Sequence, residues 1–150
     1  MTLVHSPPAT WYGLHDMLSP SQQTLRHLEL KSMLNDETGA KDPLSGLTPE
    51  LEEMSNQNRV ESIDIEVHIQ TDFDCHRGDL WGALDKALAG SEAARWPKLT
   101  SVSLKITIWS FSRQGNELEV ALRMLPKTQF PLLSSSKAIS FQFSVDNVSA

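Results

Sequence analysis

The stretch Asp72-Phe73-Asp74-Cys75-His76 is the densest group of potential metal ligands and nucleophiles in the chain. Carboxylates, a thiolate and an imidazole are the donor types that hold a divalent cation such as zinc. Asp64 and His68 lie just upstream. Together Asp64, His68, Asp72, Cys75 and His76 outline a small hydrolase or metal enzyme. Cys75 with His68 or His76 would form a thiol–imidazole pair, which needs contact within ~3 Å and a third group to orient the base. The pattern stops short of either chemistry. No second ligand pair stands at a zinc spacing, and the acids do not follow a calcium-loop spacing. No cysteine-protease signature surrounds Cys75. Aspartates gather at turns for backbone reasons alone. Asp72, Asp74, Cys75 and His76 therefore read as a polar loop that binds no metal, and the chain as non-catalytic and without a cofactor. No Gly-x-Ser-x-Gly, Walker-type loop or Gly-x-Gly-x-x-Gly occurs.

Composition narrows the classes further. The 150 residues suit one domain, and 39% hydrophobic residues suffice for a core. A net charge of −6 with no basic stripe excludes a phosphate-backbone partner, so no nucleic acid is expected. No apolar run approaches the ~20 residues that span a bilayer, so no membrane partner is expected either. The first residues lack the basic flank and apolar stretch of a signal peptide. A lone cysteine forms no internal disulfide, which fits a reducing compartment. The expected location is cytoplasmic or nuclear.

These side chains must be positioned by strands and helices, and periodicity places both. Ile63, Ile65, Val67 and Ile69 alternate with polar residues, as do Val102, Leu104, Ile106 and Ile108. Ile139, Phe141, Phe143 and Val145 form a third such run, and Leu28 and Leu30 a weaker fourth. Period-2 alternation marks strands with one buried face. Between them lie helical stripes: Leu80, Trp81, Leu84, Ala87 and Leu88 after an Asp79 cap; Leu118, Ala121, Leu122 and Leu125 in a helix from Asn116 to Leu125; Leu51 and Met54 after Thr48-Pro49; and Trp11, Leu14 and Leu18. Pro97, Pro126 and Pro131 read as connections. Ile65, Leu84, Leu88, Leu104, Ile106 and Phe141 are expected in the core.

The helical stripes recur. Trp11, Leu47, Trp81 and Leu118 stand at steps of 36, 34 and 37 residues. A fixed step of this size marks an array of repeated units. Alternating strands imply a sheet with one open face, because parallel strands covered on both faces read as continuous apolar runs. The expected fold is α/β, with about four degenerate helix–strand units in a single domain over residues 1–150. Its sheet would be curved and mostly parallel, with helices on one face. The alternative is an open antiparallel α+β sandwich.

Thr24-Leu25-Arg26-His27-Leu28-Glu29-Leu30 resembles the Leu-x-x-Leu-x-Leu core of a leucine-rich repeat. Trp81-x-x-Leu84-x-x-Ala87-Leu88, followed by Trp96-Pro97-Lys98-Leu99-Thr100-Ser101-Val102-Ser103-Leu104, resembles the C-terminal repeat region of fungal F-box proteins. Leu125-Pro126, then Pro131-Leu132-Leu133 leading into Ile139–Phe143, resembles the ending of such chains. The resemblance implies a protein-interaction domain that recognises a protein for ubiquitination, here as the substrate-side part of a longer protein, without a recognisable F-box; the alternative is a truncated fragment without independent function. The steps exceed the usual ~20–29 residues, and the repeat's Asn or Cys is missing. An unidentified protein would bind the open sheet face through Glu29, Lys31, Glu66, His68, Lys105, Thr107, Trp109, Gln142 and Ser144. Alternation from Ile108 points Trp109 to that face as an aromatic anchor; the other reading curls the strand end back into the core. The uncharged segment Phe141–Val145 is expected to form a strand edge prone to self-association.

Overall fold

The computed structural model describes residues 2–5, 14–21, 23–35, 47–54, 58–70, 80–90, 96–110 and 115–149. Its strands are β1 (Thr2–His5), β2 (His27–Asn35), β3 (Ser62–Gln70), β4 (Ser101–Ser110) and β5 (Ser140–Ser149). Its helices are α1 (Leu14–Leu18), α2 (Leu47–Met54), α3 (Leu80–Ala89), α4 (Gly115–Arg123), α5 (Leu125–Thr128) and α6 (Pro131–Ser135). The strands form one sheet in chain order, β1-β2-β3-β4-β5, and every pairing is parallel. The protein is thus of the α/β class with a parallel sheet, and parallel pairing throughout excludes the antiparallel sandwich.

Register explains why alternation was so legible. His27 aligns with Ser62, Ser62 with Ser101 and Ser101 with Ser140, and the ladders run on without a bulge. Paired residues therefore share a face across these four strands, while successive residues within each strand alternate between faces. Leu28, Leu30, Ile63, Ile65, Val67, Ile69, Val102, Leu104, Ile106, Ile108 and Val145 are buried on one face. They form one cluster with Leu18, Leu47, Leu51, Met54, Trp81, Leu84, Leu88, Leu122, Leu125, Phe130 and Leu133 from the helical side. Phe141 is only half-buried, because β5 is the edge strand among the described residues and none of them covers its outer flank. Its ring packs on Phe130, centroids 5.4 Å apart.

The helices pack on one another in chain order, α1 on α2, α2 on α3 and α3 on α6. The expected helix from Asn116 to Leu125 is instead interrupted at Met124, and Pro126 and Pro131 open α5 and α6 rather than lying in connections. Proline lacks the N–H a running helix needs but suits a first turn, so the same residue both stops α4 and starts α5. Strand β1 has no counterpart in the periodicity reading; four residues are too few to establish a period. Trp96 is buried, its Nε1–H donating to Ala87 O at 3.0 Å. Gly90 ends α3 where a Cβ would stand 2.4 Å from Lys86 O. Asn58 is buried between α2 and β3; its amide donates to Met54 O and its carbonyl accepts from the Val60 N–H. Trp11, Asp72, Asp74, Cys75, His76, Asp79 and Phe111 lie outside the described residues.

One buried acid locks the helical layer. Asp85 of α3 is 2% exposed, and its two carboxylate oxygens accept the Leu132 and Leu133 N–H groups at 3.0 and 2.8 Å. These are first-turn amides of α6, which carries no side-chain cap of its own. Asp85 caps that helix from across the layer, meeting donors no intrahelical carbonyl can reach. Burial pushes the Asp85 carboxyl above its ordinary 3.8, against the two amide bonds and Lys86, which pull it down.

Two measurements check these assignments. Leu104→Ala should cost about 2–5 kcal/mol in a urea titration, and a loss below ~1 kcal/mol would contradict its place in the core. Asp85→Ala strands two amides and should cost about 1–3 kcal/mol. Because the folded carboxyl holds its proton more tightly than the unfolded one, this group's contribution to stability falls as pH rises from 3.8 towards the raised folded value, then levels off. Asp85→Asn should flatten that slope.

Candidate polar-face site

The sheet face opposite the helices carries Glu29 and Lys31 from β2, Asp64, Glu66 and His68 from β3, Lys105, Thr107 and Trp109 from β4, and Gln142, Ser144 and Asp146 from β5. Each alternates with inward residues that are mostly apolar and buried, Ser32 and Asn147 being polar exceptions. Strand β3 shows the rule without exception, buried and half-exposed residues alternating along its whole length.

Five of these side chains form a connected line across three strands. Lys31 Nζ lies 3.5 Å from Glu29 and 3.9 Å from Glu66. Glu66 Oε1 is 2.6 Å from His68 Nε2, and Trp109 Nε1–H donates to His68 Nδ1 at 3.0 Å. The imidazole and indole also stack, with centroids 6.2 Å apart and planes at 24°. An indole nitrogen only donates, so His68 Nδ1 must present its lone pair. The Nε2 then carries the proton and gives it to Glu66. Both ring nitrogens are thereby committed, and Trp109 is held on the polar face rather than curled into the core.

The remaining candidates stand apart from this line. Lys105 turns to Asp146, 3.7 Å away, although β3 places Glu66 beside it in register. Thr107 is only 6% exposed and offers a partner little surface. Gln142 and Ser144 are exposed on β5. Asp146 is the residue that periodicity overlooked; extending the alternation past Val145 would have found it.

Of the enzyme constellation, only Asp64 and His68 are described. Four steps along the strand separate them by about 13 Å. Asp64 instead faces His27 Nε2 at 3.4 Å, while His68 is engaged by Glu66 and Trp109. Among the described residues no three or more His, Cys, Asp or Glu side chains are grouped to hold a metal ion. None of the described helices is long and apolar enough to cross a membrane.

On the helical side, a cavity of about 520 Å³ lies between α3, α5 and α6, lined by Gly82, Asp85, Lys86, Gln129 and Leu132 among others. A Cβ at Gly82 would stand 3.0 Å from Gln129 Oε1, the end of a flexible side chain that could yield. Each Asp85 oxygen there accepts one α6 amide. No family model, curated protein or solved structure matches the chain.

Nitrogen-15 shifts of the histidine rings test the polar-face geometry directly. His68 should show the Nε2–H tautomer with an unprotonated Nδ1, and Trp109→Phe should release that preference. An Nδ1–H tautomer in the unaltered chain would contradict the Trp109 bond.

Proposed function

We propose that the chain is a non-catalytic protein-interaction domain of the leucine-rich-repeat type, binding a protein partner across its polar sheet face. The observation that carries the reading is register. Leu28-x-Leu30, Ile63-x-Ile65, Val102-x-Leu104 and Phe141-x-Phe143 are aligned in four adjacent parallel strands, and Leu25, Val60, Leu99 and Ala138 stand three residues before each in sequence. That is the Leu-x-x-Leu-x-Leu spacing of the repeat, laid side by side. Three residues on, where the repeat carries Asn or Cys to end its strand, stand Met33, His68, Thr107 and Asp146. They lie inside strands of nine and ten residues, so the missing Asn goes with strands that do not turn there.

The polar face suits a binding surface because it needs no rearrangement to meet a partner. Its charges are held in pairs, and a large aromatic ring is fixed by a hydrogen bond and a stack. Fixed aromatics make good anchors, since little side-chain entropy is lost on contact. By the resemblance to F-box proteins, the partner would be a protein recognised for ubiquitination; that role comes from likeness of sequence alone.

A photo-crosslinking residue placed at Gln142 or Lys105 should capture a discrete protein partner in cells, and one placed at Glu52 or Val120 on the helical side should not. Trp109→Ala should abolish the capture and lengthen the partner's half-life. Capture from the helical positions alone would move the site to the other layer. A partner whose half-life ignores Trp109→Ala would remove the ubiquitination role.

A further inference from the structure

The two edges of the sheet differ in a way that points to a partner for one of them. Ser140 N–H donates to Thr100 O at 2.8 Å, which sets the direction of the β5 backbone. In a parallel strand the N–H and C=O of one residue point to the same side, and the side alternates. Ser140, Gln142, Ser144 and Asp146 therefore bond to β4. Phe141, Phe143, Val145 and Asn147 turn their N–H and C=O groups outward, where no described strand lies. Strand β5 runs ten residues without a bulge, and residues 139–145 carry no charge. Phe141 and Phe143 are half-buried beneath it, 6.2 Å apart, and Val148 is 38% exposed. The opposite edge, β1, is only four residues long and is followed in sequence by Pro7-Pro8. Short strands and prolines are how sheets blunt an edge; long, flat, uncharged strands leave one open.

We propose that β5 pairs antiparallel with β5 of a second copy of this chain, about a two-fold axis normal to the sheet. Charge selects the occupant. A chain of net charge −6 repels its own kind over most of its surface, whereas residues 139–145 bring nothing to repel. Strand edges of this kind offer a charged peptide no counter-ion but offer an identical strand matching donors, acceptors and phenylalanine rings. The axis follows from the faces. A two-fold normal to the sheet keeps both helical layers on one side, and Phe141 and Phe143 meet their counterparts there. A two-fold along the strands would set one polar face beside the other copy's helices. The product is a ten-stranded sheet with one continuous polar face. This inference stands whether or not that face binds a protein.

The test combines mass with hydrogen exchange on the full chain. Sedimentation across a concentration series should show the mass doubling. Amide exchange followed by NMR should show Phe141, Phe143, Val145 and Asn147 protected only at high concentration. Gln142, Ser144 and Asp146 should be protected at both. The double variant Gln142→Lys/Ser144→Lys brings like charges together across the seam without touching the core, and should weaken association about tenfold or more at low salt. Its unchanged shifts outside β5 would show that it folds. A monomer at every concentration would overturn the proposal. So would a dimer in which those four amides exchange freely, or one that the lysines leave untouched.

Discussion

The constraint on which everything else rests is the unbroken parallel register. Each pairing joins an inward residue to an inward one and an outward residue to an outward one, and no bulge shifts one strand against the next. A single buried face therefore extends across the sheet, and a single wet face extends behind it. A one-residue slip of β3 would send Ile63, Ile65, Val67 and Ile69 into water and polar residues such as Asp64 and Glu66 into the core. The apolar row Ile65–Leu104 and the polar row Glu66–Lys105 depend on the same hydrogen bonds. Neither face can be altered without the other.

From this follows the division of labour between the layers. The helices bury Leu51, Trp81, Leu84, Leu122 and Leu133 against the apolar rows, and parallel strands need such crossovers to return the chain. The polar face needs none. Its side chains satisfy one another along and across the strands, as Glu29, Lys31, Glu66, His68 and Trp109 do. Salt bridges this exposed add little stability. Their effect is to hold the side chains still, and rigidity at a surface lowers the entropy lost when something binds there.

The strands β3 and β4 could be read from sequence because a half-wet parallel sheet writes its geometry as strict alternation. Strand β5 was legible only to Val145. Beyond it Asn147 occupies an inward position, where an apolar residue would continue the pattern. Its amide reaches Glu119 of α4 at 3.2 Å, and Glu119 is in turn held by Arg123, whose hydrogen bond, with that of Asn147, keeps the carboxyl below its usual range. Helices α5 and α6 were hidden because Pro126 and Pro131 are equally good signals for a connection and for a first helical turn. The polar-face candidates could be named one by one from alternation. Their linkage could not, because His68 and Trp109 are 41 residues apart and become neighbours only once β3 and β4 pair. The role of Asp85 was illegible for the same reason: an acid on an apolar stripe reads as an irregularity until its two amide partners, 47 and 48 residues away, are in place.

That acid also limits how the architecture can change length. In an array held only by apolar contact, units can be lost or inserted wherever the greasy surfaces still match. Here α3 ends its reach on α6 through a charge sunk in the helical layer. Delete α6, and a carboxylate is left in a dry place with nothing to receive. Insert a further unit between them, and the two helices no longer touch. The carboxyl-terminal third is therefore tied to the middle of the chain by Asp85, the one buried charged residue among those described.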